Sequence, residues 1–224
     1  MTTYFDMYTR IGDEIQDASL TTQVQRAIQD AIAVYEPTRF YFNQTTATFA
    51  TVPNQEFYTG SDFTDIPLLI EIDAFMVTIM GVKDPLQAED YYEMTRAQNG
   101  TWYGPPRTYA YYNQQIRMFP IPDQAYPLTI SYHHRLTPLV NPTDSNAWMV
   151  DGEMLIRQTA KSYLALDVLQ EPNIAQGAQM LADMAFNRLR TETRKRRSNP
   201  FLKTDIPSLL ARRYGSDVRS GEVW

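Results

Sequence analysis

The spacing of apolar residues changes along this chain, from helical spacing at both ends to strand spacing in the middle. Near the N-terminus, Ile11 and Ile15 lie four residues apart and predict a first helix. Apolar residues then recur every three or four positions and predict a second helix with one buried stripe, formed by Val24, Ala27, Ile28, Ala31, Ile32 and Tyr35. Pro37 ends this helix, because the residue before a proline is pushed out of the helical region.

The central part of the chain, residues 38–140, is predicted to form short strands. Segments 39–43 and 45–52 are rich in aromatic and β-branched residues and predict a hairpin that turns at Asn43 and Gln44. Residues 67–80 predict a long strand, and their nearly unbroken apolar run predicts burial on both faces. The other elements expected here are an edge segment at Tyr58, a helix over 86–98 and strands over 109–112, 115–119 and 126–133. Their short connections leave no room for crossover helices, so the sheet is predicted to be antiparallel.

Helical spacing returns after residue 141. Residues 147–170 and 174–197 each predict one helix, with a break at Pro172 and Asn173. The stripe expected in the last helix contains Ala178, Leu181, Met184, Ala185 and Leu189. We therefore predict an α+β fold with three parts: a helical bundle built from both chain ends (1–37 with 141–198), an inserted small antiparallel β-domain (38–140) and an extended C-terminal arm (199–224).

Basic residues are concentrated near the C-terminus. Residues 186–224 carry 10 Lys or Arg and 4 Asp or Glu, whereas residues 1–185 carry 10 and 22. The centre of this region is the run Arg194, Lys195, Arg196 and Arg197, which follows Arg188 and Arg190. For a single chain the better interpretation is that these cations complement the dipole of a helix C-terminus. The alternative is contact with an acidic partner, through either carboxylates or the phosphates of nucleic acid.

The arm at residues 199–224 contains more apolar side chains than a disordered end usually does. Its apolar residues are predicted to dock, either on the chain's own helices or on a neighbouring molecule: Phe201, Leu202, Ile206, Leu209, Leu210, Tyr214 and Trp224.

The sequence contains no recognisable motif for catalysis or cofactor binding. It has no Cys, and no G-x-S-x-G, Walker-type or dinucleotide-binding loop. His133 and His134, the only histidines, should point to opposite faces of a strand and therefore cannot ligate one metal together. The acidic pairs at residues 13–14 and 89–90 fall on predicted helix surfaces, where acid–base catalysis is improbable. We therefore predict no enzyme activity, no catalytic residue, no metal and no cofactor.

Two further features concern the partners of the chain. Tyrosines accumulate in the centre of the chain and predict sheet filling and a subunit interface, with a stacking platform for sugars or bases as the alternative: Tyr91, Tyr92, Tyr103, Tyr109, Tyr111 and Tyr112. The N-terminus does not follow the signal-peptide pattern, and no apolar run reaches the length of a membrane span. No membrane partner is expected.

Two stretches of the sequence resemble phage adaptor proteins of the head-to-tail connector type. The first is RFYFN at residues 39–43, followed by TTATFAT at residues 45–51. The second is IRMFPIPDQAYPL at residues 116–128, where a strand, a Pro-x-Pro-Asp turn and an Ala-Tyr-x-Leu strand follow in the order common in that group. The resemblance covers roughly residues 10–195 and does not include the arm.

This resemblance implies a protein that forms a ring, commonly a dodecamer, beneath the portal in the virion neck, after synthesis and assembly in the bacterial host cytoplasm. It implies helical domains packed side by side, a β-domain facing a tail or nozzle protein, and an arm that reaches the portal. Packaged DNA would pass through the channel without sequence-specific contacts. The arm's apolar residues are then the expected portal-binding residues, and the run at 194–197 is expected to meet portal carboxylates in preference to DNA. Ring formation would wait until the arm orders on the portal.

Two other functions remain open from the sequence. A phage-encoded hydrolase of cell-wall sugar would need a buried carboxylate pair in a cleft. A DNA-binding regulator would use the basic helix, and its affinity would fall steeply with salt, but the acidic body argues against it.

Overall fold

The computed structural model describes residues 2–59, 62, 69–97 and 102–196. Helices from the two ends of the chain pack together, and the residues between them form two small sheets and a short helix. The helices are α1 (Tyr4–Ile15), α2 (Thr21–Tyr35), α3 (Tyr91–Ala97), α4 (Ala147–Val150), α5 (Glu153–Asp167) and α6 (Pro172–Arg196), with a 3-10 turn at Ala18–Leu20. The strands are β1 (Gln44–Ala50), β2 (Phe57–Tyr58), β3 (Leu69–Ile79), β4 (Val82–Pro85), β5 (Gln87–Ala88), β6 (Thr108–Tyr112), β7 (Gln115–Phe119) and β8 (Pro127–His134). This mixture confirms the α+β prediction in its coarse form.

One hydrophobic core unites helices from both chain ends. A capping box between Thr3 and Asp6 starts α1. The predicted stripe of α2 is confirmed: Val24 and Ile28 are buried, and Ile32 packs against the same core. Residues from α4, α5 and α6 complete this core, with Trp148 as its largest buried side chain.

A second core lies between the two sheets. The first sheet has the strand order β1-β8-β3-β4 and the second β2-β7-β6-β5. All pairs are antiparallel except β5 with β6, so the second sheet is mixed and the prediction of a purely antiparallel sheet is wrong there. Phe75 and Tyr109 meet edge to face across the sheets, with ring centroids 5.1 Å apart.

The predicted hairpin over residues 39–52 is wrong. Residues 39–43 form a turn that Asn43 closes: its side-chain oxygen accepts from the Phe40 N–H at 2.8 Å, and its amide donates to the Thr38 carbonyl at 2.9 Å. β1 pairs instead with the distant β8, for example Thr46 with Ser131. The aromatic residues of 39–43 pack towards the helical core, which explains their strand-like composition.

Three other element predictions need correction. β3 is not buried on both faces, because several of its side chains are exposed. The helix expected over 86–98 begins only at Tyr91, and β4 and β5 precede it. The helix expected over 147–170 is divided into α4 and α5 next to Gly152, and Pro172 is the first residue of α6 rather than a break before it. The division of the chain into three domains stays a prediction.

Candidate assembly surfaces

Helix α6 has a buried face of small residues and an exposed face of large ones. The buried face is formed by Ala175, Ala178, Ala182, Ala185 and Leu189. Alanines at this spacing let two helices approach closely, and α6 packs along α5. Leu181 and Met184, predicted to be buried with them, are 40% and 62% exposed. The predicted stripe is therefore confirmed for Ala178, Ala185 and Leu189 and wrong for Leu181 and Met184, whose places in the core are taken by Ala175 and Ala182.

The exposed side of α6 forms an apolar surface, which we call the outer face: Ile174, Met180, Leu181 and Met184. Leu166 at the end of α5 is also exposed, and with Met180 it lines an open depression of about 520 Å³. Large exposed apolar patches on soluble proteins commonly mark interaction sites. The outer face is therefore a candidate for contact with another molecule.

A group of aromatic side chains covers one end of the second sheet. Tyr91 and Tyr112 stack with centroids 4.8 Å apart, and the hydroxyls of Tyr92 and Tyr112 lie 3.3 Å apart. This hydrogen bond raises the pKa of Tyr92. The Arg117 guanidinium lies 5.6 Å from the Phe57 ring centroid and donates to Glu56 at 2.5 Å.

The tyrosines predicted as an interface divide into two groups. Tyr109 is buried in the β core and Tyr91 is half-buried, whereas the other four are exposed, together with Trp102: Tyr92, Tyr103, Tyr111 and Tyr112. The sequence prediction did not include Trp102 or Arg117. Arg117 is only 11% exposed, and Trp102 lies beside Phe119 at the other end of β7. Exposed tyrosines contribute strongly to protein interfaces, so the aromatic surface with Tyr92 and Tyr112 is a second candidate.

The basic cluster lies at the end of α6, beside the turn that precedes β1. The Arg196 guanidinium lies 3.7 Å from the centroid of Tyr41, whose N–H donates to Thr193 Oγ1 at 3.2 Å. The Tyr41 hydroxyl donates to Asp151 at 2.9 Å, and burial raises its pKa. Arg194 and Lys195 are exposed and form no ion pair within the described ranges. Arg197 and the predicted portal-binding residues lie outside the described residues: Phe201, Leu202, Ile206, Leu209, Leu210, Tyr214 and Trp224.

The two histidines of β8 have different surroundings. His133 is buried between Gln44 of β1 and Glu71 of β3, with its Nδ1 3.8 Å from a Glu71 oxygen. Arg39 contacts the same Glu71 at 3.1 Å and also pairs with Asp73. His134 lies beside Tyr132 instead, and burial lowers its pKa. Among the described residues, no group of three or more metal-ligating side chains lies together.

The acidic pairs noted in the sequence have structural contacts. Glu14 pairs with Lys161 at 3.2 Å and with Arg157, and so joins α1 to α5. Asp90 accepts from the N–H groups of Tyr92 and Glu93, at 2.9 and 3.2 Å, and so begins α3. No helix in the described part of the chain is long and apolar enough to cross a membrane.

An exposed apolar helix face and an exposed aromatic surface are features that subunits of assemblies commonly have. The sequence model of the SU10 adaptor protein family matches residues 2–204, so the chain belongs to that family. This agrees with the resemblance to phage head-to-tail adaptors, and the family's name describes a structural role. No individual curated protein matches the chain.

Proposed function

We propose that this protein is a ring-forming adaptor in the neck of a tailed phage. It docks on the portal, extends the DNA channel and provides the surface to which the tail attaches. Membership of the SU10 adaptor protein family supports an adaptor role. The outer face of α6 is the observation that carries the proposal of a ring, because a monomer rarely leaves so many large apolar side chains on one helix exposed.

Each part of the chain would have its own partner. The outer face of α6 packs against the next copy in the ring, and the aromatic surface of the second sheet contacts a tail or nozzle protein. Arg194 and Lys195 are exposed where α6 ends, and with the arm that follows they meet the portal. DNA passes through the channel without specific contacts.

Charge reversal on the outer face tests the ring. The double substitution Leu181→Glu and Met184→Glu places two carboxylates in the proposed contact between copies, where they would lose hydration and repel each other. Both positions are exposed, so the fold should tolerate the change. We expect the wild type mixed with purified portal to reach the mass of a ring in light scattering, and the variant to remain far below it.

The control is Gln23→Glu, which adds a carboxylate at an exposed position on α2. It should assemble as the wild type does. If the double variant assembles normally, the outer face does not take part in the contact between copies. If the wild type never exceeds monomer mass in the presence of portal, the proposed ring is refuted.

A further inference from the structure

The hairpin formed by β3 and β4 has an apolar tip. Ile79 pairs with Val82, and the turn between them consists of Met80 and Gly81. Met80 is fully exposed and Val82 is 60% exposed, whereas Ile79 is half-buried. Tight turns usually carry glycine, asparagine and other small or polar residues, so an exposed methionine in this turn is unusual.

The backbone of Met80 has an unfavourable conformation. Its φ is 50°, and the φ of Gly81 is 81°. A two-residue hairpin turn with positive φ at both positions favours Asn-Gly or Asp-Gly, because bulky side chains are rarely found in the left-handed region. Met80 therefore lowers the stability of the free protein. Such unfavourable conformations are concentrated at functional sites, where the side chain is kept for binding.

The tip projects beyond the end of β8. β8 pairs with β3 as far as Val77, which lies opposite Leu128, and beyond this point β3 pairs only with β4 in the described part of the chain. All of β4 is exposed. Lys83, Asp84 and Pro85 are residue types that protect an edge strand from pairing with another chain. The tip, and not the edge, is therefore the surface that this hairpin offers to a partner.

The tip lies far from the helical core. The core meets the first sheet near the start of β3, where Arg39 contacts Glu71 and pairs with Asp73. Met80 follows Asp73 by seven residues, which corresponds to about 23 Å in an extended strand. α6 ends beside Tyr41, just before β1 begins at the same end of the sheet as Glu71. The tip and the last described turn of α6 therefore lie at opposite ends of the first sheet.

We infer that Met80 is an anchor residue that inserts into an apolar pocket of the protein on the tail side of the neck. The inference rests on the proposed function, in which the end of α6 and the arm meet the portal, so that the opposite end of the sheet faces the tail. Methionine suits this role because its unbranched side chain adapts to pockets of irregular shape. The charged residues of β4 beside it would form the polar rim of the contact. A pocket on the next copy in the ring is the competing site.

Replacement of Met80 by asparagine tests the anchor without weakening the turn. Met80→Asn removes the apolar side chain and supplies a residue that such a turn prefers, so its urea midpoint should equal or exceed that of the wild type. Both full-length proteins are assembled on purified portal, and their binding is measured to tail particles purified from cells infected with phage that lacks this protein. We expect the variant to bind tails at least about tenfold more weakly, the loss expected for one buried methionine side chain.

Two control variants separate the side chain from its position. Met80→Leu keeps an apolar side chain of similar volume and should bind tails nearly as well as the wild type. Val140→Asn replaces another apolar residue by asparagine, at a position before α4 that is 75% exposed, and it should leave tail binding unchanged.

The outcomes distinguish this inference from the proposed function. If Met80→Asn forms rings of normal mass and binds tails as the wild type does, the anchor is refuted and the ring remains. If this variant does not reach ring mass, the tip contacts the next copy and the inference is wrong. A urea midpoint below that of the wild type would overturn the account of the turn on which the inference depends. If the wild type forms no ring on portal, or its rings bind no tails, the proposed function fails and the inference fails with it.

Discussion

At the scale of single residues, Gly152 and Gly177 differ in the space that a methyl group would find. A Cβ on Gly152, just before α5, would lie 2.8 Å from a ring carbon of the buried Trp148 and 3.2 Å from its carbonyl oxygen. A Cβ on Gly177, inside α6, would meet nothing within 4 Å. The separation of α4 from α5 therefore depends on a glycine that lets the helices turn tightly around Trp148.

These two glycines give a matched pair of variants. Gly152→Ala should lower the free energy of unfolding by about 1–3 kcal/mol, because the indole must shift in a packed core. Gly177→Ala should raise it by about 0.5–1 kcal/mol, because alanine loses less backbone entropy in a helix. Urea unfolding followed by circular dichroism measures both values. Equal effects from the two substitutions would contradict this account of Gly152.

Carboxylates that accept backbone N–H groups should make the fold sensitive to acid. Hydrogen bonds from the Thr3 backbone and side chain lower the pKa of Asp6, and those from the Asn141 and Val140 N–H groups lower the pKa of Asp144. A carboxyl whose pKa is lower in the folded state stabilises the fold above its unfolded pKa. That contribution is lost as the pH falls through the folded pKa.

We therefore expect the free energy of unfolding to decrease as the pH falls below about 5, where these carboxyls begin to take up protons. Asp144→Asn keeps an acceptor oxygen but cannot titrate. Between neutral and acidic pH, the free energy of unfolding of this variant should therefore decrease less than that of the wild type. Urea midpoints measured across this range test the difference. Identical pH profiles would show that Asp144 does not contribute.

At the scale of elements, α6 connects the surfaces proposed for assembly. Its alanine face packs on α5, its outer face is exposed, and its last turn is held to Tyr41 by Arg196 and Thr193. The last described turn of α6 is therefore fixed beside the turn that precedes β1. Among the predicted basic cluster, Arg196 is occupied by this contact, whereas Arg194 and Lys195 remain exposed for a partner.

Deleting residues 199–224 tests the role of the arm. The two described cores are formed by residues between Tyr4 and Leu189, so we expect the truncated chain to stay folded and soluble. It should lose binding to immobilised portal, because the apolar side chains proposed to dock there are removed. A variant that keeps the arm but carries Arg194→Ala and Lys195→Ala should bind more weakly, with a smaller dependence on salt. Undiminished portal binding by the truncated chain would refute the proposal.

At the scale of the whole molecule, a polar junction joins the two cores. Arg39 pairs with Glu71 and Asp73 of β3, Arg135 pairs with Glu36 at 3.2 Å, and the His134 N–H donates to the Asn43 carbonyl at 3.0 Å. Buried His133 lies next to these contacts. Several directional contacts across one turn restrict how the sheets can be oriented relative to the helices, as the proposed function requires if each part contacts a different partner.

Local spacing was enough to predict some parts of this structure. The buried stripe of α2 and the positions of β2, β6, β7 and β8 were predicted from the spacing of apolar residues. This spacing is set by the local backbone, because side chains return to the same face every 3.6 residues in a helix and every second residue in a strand. The use of tyrosine both inside the sheets and on a surface was also expected from the sequence, because its ring is apolar and its hydroxyl is polar. The family resemblance rested on short local stretches of the same kind.

Only the tertiary structure decided which strand pairs with β1, which face of α6 is exposed and how the tyrosines divide between core and surface. Strand pairing joins residues such as Thr46 and Ser131, and no local repeat specifies a partner that is distant in the sequence. Leu181 and Met184 have helical spacing whether they face α5 or solvent. Periodicity alone therefore could not show that they are exposed and that the alanines are buried. The close packing of α6 on α5 selects the small residues for the core and leaves the large ones outside.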